Sequence, residues 1–127
     1  MCNLPSPFTK RIFLAFPTVP GDVTAEGAAE YRRLAEKYKL AAEHTAAQLA
    51  TLAAAKTFVE GLKRTGADLS REQLVAALEG LYEYDTGLTP KIIFGPNRRV
   101  GAAGAYIITI NSDTKNFESV GGWVAAN

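Results

Sequence analysis

A single apolar strand ahead of three amphipathic helices cannot close on itself, and this order constrains the chain more than any other feature of its sequence. Arg11-Ile12-Phe13-Leu14-Ala15-Phe16 is a short apolar run stopped by Pro17, with Thr18-Val19-Pro20-Gly21-Asp22 behind it as a loop. It is too short for a helix and reads as a buried strand. A lone strand leaves its backbone donors and acceptors unpaired, and an α/β domain needs several strands to build a sheet with covered faces. The strand at 11–16 therefore requires partners from elsewhere.

The helices follow at once. Between Thr24 and Tyr38 the apolar positions Ala28, Tyr31, Leu34, Ala35 and Tyr38 recur at helical spacing, and Asp22 or Thr24 can accept from the free amides of the first turn. A second helix, from Glu43 to Lys63, carries Leu49, Leu52, Ala55, Val59 and Leu62 on one face, with Lys56, Glu60 and Lys63 facing out and Gly66 able to end it. In the third, Ser70 and Gln73 have the spacing of a capping box, Leu69 and Leu74 that of a hydrophobic staple, and Leu74, Val75, Leu78, Leu81 and Tyr82 form the buried face. The short connection between the second and third predicts an antiparallel pair.

After Asp85-Thr86-Gly87 the pattern turns to short β-like runs. Lys91-Ile92-Ile93-Phe94 is closed by Gly95-Pro96-Asn97, and Ala105-Tyr106-Ile107-Ile108-Thr109-Ile110 by Asn111-Ser112-Asp113. A last strand is expected around Phe117 to Val120, before Gly121-Gly122-Trp123-Val124. The expected fold class is α/β, in the order β-α-α-α-β-β(-β), without internal repeats.

Composition narrows the function classes. At 127 residues, 47% hydrophobic and 21% charged, the chain has enough apolar surface for one globular core. Fourteen basic and 13 acidic residues leave a net charge of +1, too little field to attract nucleic acid or an anionic membrane. The pairs Arg32/Arg33, Lys63/Arg64 and Arg98/Arg99 read as solvated positions. Cys2 has no intrachain partner, no apolar run reaches the roughly 18 residues of a membrane span, and no export signal is expected in Met1 to Lys10, which read as leader or disordered.

Catalysis is not expected. One histidine and one cysteine cannot build a three-ligand zinc site without carboxylates, and no metal-ligand spacing, nucleophile elbow or phosphate cradle occurs. Gly101-Ala102-Ala103-Gly104 and Gly121-Gly122 read as turn or bulge positions, and Glu79, Glu83 and Asp85 as a solvated face. No metal and no cofactor is expected.

The ordered pieces carry a resemblance. Phe13-Leu14-Ala15-Phe16-Pro17, the helix with Ala29-Glu30-Tyr31-Arg32-Arg33-Leu34, Ala53-Ala54-Ala55-Lys56 through Glu60-Gly61-Leu62-Lys63-Arg64-Thr65-Gly66, and Leu69-Ser70-Arg71-Glu72-Gln73-Leu74-Val75-Ala76-Ala77-Leu78-Glu79 resemble, in that order, the C-terminal part of type I periplasmic solute-binding proteins of the leucine/isoleucine/valine class. Ile92-Ile93-Phe94-Gly95-Pro96-Asn97-Arg98-Arg99 and Gly104-Ala105-Tyr106-Ile107-Ile108 resemble the family's final strands.

The resemblance implies an incomplete fold of that type, residues 11–127 forming a C-terminal segment with parts of both lobes of a longer, two-lobed protein that holds a small solute in its cleft. It implies that Arg11 to Pro17 enter a hinge, that the first helix belongs to the second lobe, and that the second and third belong to the first. It implies a periplasmic parent serving an ABC permease. The family's pocket-facing segment maps to about His44 to Leu49, making His44, Gln48 and Leu49 the candidate ligand contacts. Aromatic residues usual there are absent, and for His44 the competing reading is an exposed helix start.

Two functions follow from different classes. A fragment of a solute-binding protein is expected to lack a complete cleft and to cover its bare strand edges and helix faces by dimerising. A free-standing self-association or protein-interaction module would instead be monomeric or present one defined patch to a partner.

Overall fold

The first strand finds its partner near the opposite end of the chain. In the computed structural model β1 (Phe13–Phe16) pairs antiparallel with β2 (Gly104–Asn111), which pairs on its other side with β3 (Asn116–Ala125), giving a three-stranded sheet. The structure describes residues 8, 11–18, 22–67, 69–111 and 116–125, without the Asn116 side chain. Cys2 and all of the expected leader except Phe8 lie outside the described residues. The chain divides into two compact units, Met1–Val19 with Ala103–Asn127, and Pro20–Ala102. The fold class is the expected mixed α/β, in the order strand, three helices, two strands.

In the sheet unit, Phe16 faces Tyr106 and Tyr106 faces Trp123, while Leu14 faces Ile108 and Ile108 faces Ser119. The Tyr106 and Trp123 rings meet edge-on at 5.1 Å, a cross-strand aromatic pair of about 0.5–1.5 kcal/mol. Gly104 lets the indole lie over the start of β2, for a Cβ there would stand 2.6 Å from Trp123 ring atoms. β1 is an edge strand and not the buried strand expected: with one neighbour it hides Leu14 and Phe16 in part, while Phe13 stays 58% exposed. β3 runs past the expected Val120 to Ala125. Three residues, Val120 to Gly122, stand between Ser119 and Trp123 where β2 has only Ile107, so the two glycines sit in a bulge, as expected.

In the other unit, α1 (Ala25–Tyr38) starts at Thr24, whose Oγ1 accepts from the Gly27 N–H at 3.1 Å. The same threonine donates its N–H to the Gly87 carbonyl at 2.9 Å. Around that carbonyl the segment 81–94 forms the innermost part of the unit: Leu81 and Leu88 are 0% exposed and Thr86 2%. Its backbone is satisfied locally. Tyr84 and Ile92 exchange both N–H···O bonds at 2.8 and 2.9 Å, the Phe94 N–H reaches Leu81 O, and the Ile93 N–H reaches Gly101 O. Lys91–Phe94 is therefore not the strand expected. Its apolar residues serve a loop core, and its amides find partners on different segments instead of one ladder.

The second helix also differs. A one-turn 3₁₀ helix, Ala42–His44, precedes α2 (Thr45–Thr65), which ends where Gly66 takes φ +66°. The buried stripe of α2 is Ala53, Thr57 and Gly61, while Ala55 and Val59 of the expected face are exposed. Small residues win because they allow close approach: a Cβ on Gly61 would stand 2.7 Å from Leu78 Cδ2 and 3.2 Å from Leu74 Cδ1 of α3 (Arg71–Glu79). Lys56, expected to face out, is half-buried and pairs with Glu30 Oε2 of α1 at 2.8 Å. Ser70 Oγ caps α3 by accepting from the Gln73 N–H at 3.1 Å, as the sequence spacing predicts. Leu69 is exposed, however, and of the expected α3 face Val75 and Tyr82 are exposed while Leu81 is buried beyond the helix end. All three helices share this unit, so α1 is not separated from α2 and α3 as the two-lobe reading expects; the Glu30–Lys56 pair ties it to α2.

Gly27 is where α1 meets the loop. A Cβ there would lie 2.1 Å from Gly87 O and 3.2 Å from Leu88 Cδ2. Helix propensity favours alanine over glycine by up to about 1 kcal/mol, whereas forcing backbone apart at a packed contact costs about 1–3 kcal/mol or more. Sterics win, and Gly27→Ala is expected to lower unfolding free energy in urea by about 2 kcal/mol. Gly80→Ala, whose nearest contact would be an ordinary 3.5 Å, is expected to stay within about 0.5 kcal/mol of the parent chain.

Candidate functional site

The segment singled out by sequence lies at the junction of α1 and α2. Lys39 ends α1 in the left-handed region at φ 51°, and the Leu40 N–H returns to Ala35 O at 2.9 Å. Leu40 and Ala41 then lead into the 3₁₀ turn, where Thr45 Oγ1 donates to Ala42 O at 2.9 Å. This turn sets the entry direction of α2 and the positions of the three candidate residues.

Gln48 is occupied by the protein itself. Its Oε1 accepts from the Tyr31 hydroxyl at 2.6 Å, and its Nε2 donates to Ala41 O at 2.7 Å. One half-buried amide thus joins α1, the connecting turn and α2. Leu49, the next residue along α2, is half-buried. His44 is exposed at the helix start, where its side chain makes no capping bond and has no hydrogen-bond partner among the described residues. The structure thus brings Gln48 together with Tyr31 and Ala41, leaving His44 apart from them.

Tyr31 was legible in the sequence only as an apolar helix position; its hydroxyl role appears once α2 is placed beside α1. Among the described residues no group of three or more histidine, cysteine or acidic side chains could hold a metal ion, and no helix is long and apolar enough to cross a membrane. The acidic residues read as a solvated face have separate partners: Glu79 pairs with Arg99, Glu83 with Lys91 at 3.6 Å, and Asp85 Oδ1 accepts from the Gly87 N–H at 2.7 Å. The basic pairs Arg32/Arg33, Lys63/Arg64 and Arg98/Arg99 are exposed, as expected.

Losing the Gln48 amide removes two net hydrogen bonds of about 0.5–1.5 kcal/mol each. Gln48→Ala is therefore expected to destabilise the chain by about 1–2 kcal/mol, Tyr31→Phe by about half as much, and His44→Ala by less than about 0.5 kcal/mol in urea titrations.

A family model described as "Periplasmic binding protein" matches residues 3–115. No curated protein and no solved structure matches the chain.

Proposed function

The chain belongs to the periplasmic binding protein family, and we propose that it is part of an ABC-importer substrate-binding protein for branched-chain amino acids or related small solutes. In this reading the parent works in the periplasm and docks to the importer's permease, and His44, Gln48 and Leu49 are its solute contacts from this segment. The family match carries the proposal. The ordered hinge strand, helices and final strand quoted from the sequence support the leucine/isoleucine/valine class.

The same reading holds that the chain does not bind amino acids alone. Both polar ends of Gln48 are engaged internally, so a solute would have to replace bonds already made. His44 and Leu49 alone offer no pair of groups for an α-carboxylate and an α-ammonium.

Self-association is the second part of the proposal. By the alternation of the pleat, Phe13 and Val124 lie on one face of the sheet and Phe117 on the other, and they are 58%, 56% and 63% exposed. β1 and β3 are both edges. A second copy covering Phe13 and Val124 on their shared face gives a homodimer, as expected of a segment with bare strand edges.

Light scattering with a thermal-shift screen separates the outcomes. A ligand at 100 times its dissociation constant stabilises by about 2.7 kcal/mol, which for a domain of this size raises the midpoint by roughly 8–15 °C. The expected result is a dimer whose midpoint moves by less than about 1 °C in millimolar leucine, isoleucine or valine. A monomer stabilised by any of them would show that the segment holds a working site and would overturn the proposal that it cannot bind alone.

A further inference from the structure

A cleft of ≈ 180 Å³ opens between α3 and the turn at 94–99, lined by Val75, Leu78, Glu79, Phe94, Arg98 and Arg99. It lies on neither His44, Gln48 nor Leu49. Val75, Leu78 and Glu79 are three and four residues apart, which puts them on one face of α3. Phe94 supplies the opposite wall and is held firmly: its N–H donates to Leu81 O at 2.9 Å, and a Cβ on Gly101 would stand only 3.0 Å from the ring. The turn is closed by reciprocal bonds between Gly95 and Arg98 of 3.2 and 3.0 Å. It delivers two arginines to the rim of an apolar cleft.

The two are not equivalent. Arg99 is taken by Glu79. Arg98 donates its Nε to Val100 O at 3.3 Å, and its two terminal nitrogens have no partner among the described residues. The rim therefore carries one neutralised pair and one open guanidinium. Size restricts the ligand further. An apolar cavity of about 150 Å³ accepts a benzene ring, whereas pockets for drug-sized ligands run to about 300 Å³ and above. A nucleotide or sugar phosphate would bring several negative charges to a rim with one open guanidinium.

The geometry points to a binding site for a small apolar monocarboxylate, with one aromatic ring or branched tail against Val75, Leu78 and Phe94 and its carboxylate on the fork of Arg98. A guanidinium presents paired donors that match a carboxylate. Val75 is already 39% exposed on a helix, so the ligand covers surface that is otherwise wet. Glu79 is neutralised by Arg99, so Arg98 is the one open charge on the rim and sets the ligand's direction.

Phenylacetate is the probe, titrated into the whole chain and followed by amide and arginine Nε resonances. Saturable shifts confined to α3 and residues 92–101 are expected, with a dissociation constant on the order of 1 mM for so few atoms. Phenylacetamide, which keeps the ring and loses the charge, should bind about fivefold or more weakly, and Arg98→Gln should weaken phenylacetate by a similar factor. Glu79→Gln should tighten it, since Arg99 is released from its pair and adds a second open guanidinium to the rim. Arg98 is exposed, and unchanged resonances outside the cleft verify that its variant is folded. No saturable shift up to about 20 mM, shifts spread over other exposed apolar residues, or equal binding of acid and amide would each overturn the assignment.

Discussion

The first turn of α1 meets the 85–88 loop backbone against backbone, and the rest of the helical unit depends on that approach. Gly27 has no side chain, so the Gly87 carbonyl comes close enough to take the Thr24 N–H. Gly87 is itself left-handed at φ +72°, and a Cβ on it would stand 2.8 Å from Thr24 Oγ1. Two glycines on different segments therefore fit each other. The contact seals one side of the core formed by Leu81, Thr86 and Leu88, whose backbone leaves through the Tyr84–Ile92 bridge and the Phe94 N–H bond. The same exit fixes Phe94 and the turn that carries Arg98. One close approach near the N-terminus thus helps to position a rim of side chains far along the chain.

Features that depend on local chemistry were legible in the sequence. Thr24 and Ser70 cap their helices because a β-region hydroxyl residue before a helical run satisfies free amides wherever it occurs. Gly66 ends α2, and Gly121 and Gly122 fall in the bulge. The β1 and β2 runs are strands because aromatic and β-branched residues there have no helical spacing. What failed was the choice of partner. Lys91–Phe94 has the composition of a strand, yet its amides are claimed by Leu81, Tyr84 and Gly101. The α2 face was ranked by side-chain size, while the residues that α2 buries are Ala53, Thr57 and Gly61, the last of which lets α3 come near.

The candidate residues divide in the same way. The resemblance makes Gln48 a candidate ligand contact near the start of α2, and the structure gives its amide a local task of joining Tyr31 to Ala41 O. That task needs α1 beside α2, a tertiary fact that no spacing within one helix encodes. His44 was legible as an exposed helix start, and it is one. Arg98 was read as a solvated turn residue, which is true of its exposure; its place beside Val75, Leu78 and Phe94 arises only when the 95–98 turn folds back on α3.

The central physical claim is that the 81–94 core and the α1 contact open as one unit. Native-state hydrogen exchange measures this amide by amide. The account predicts that the Thr24, Tyr84, Ile92 and Phe94 amides share one slow rate, matching the slowest in α2, and that a low dose of denaturant accelerates them together. It is contradicted if these amides exchange at the rate of exposed loops while the α2 and α3 amides remain protected.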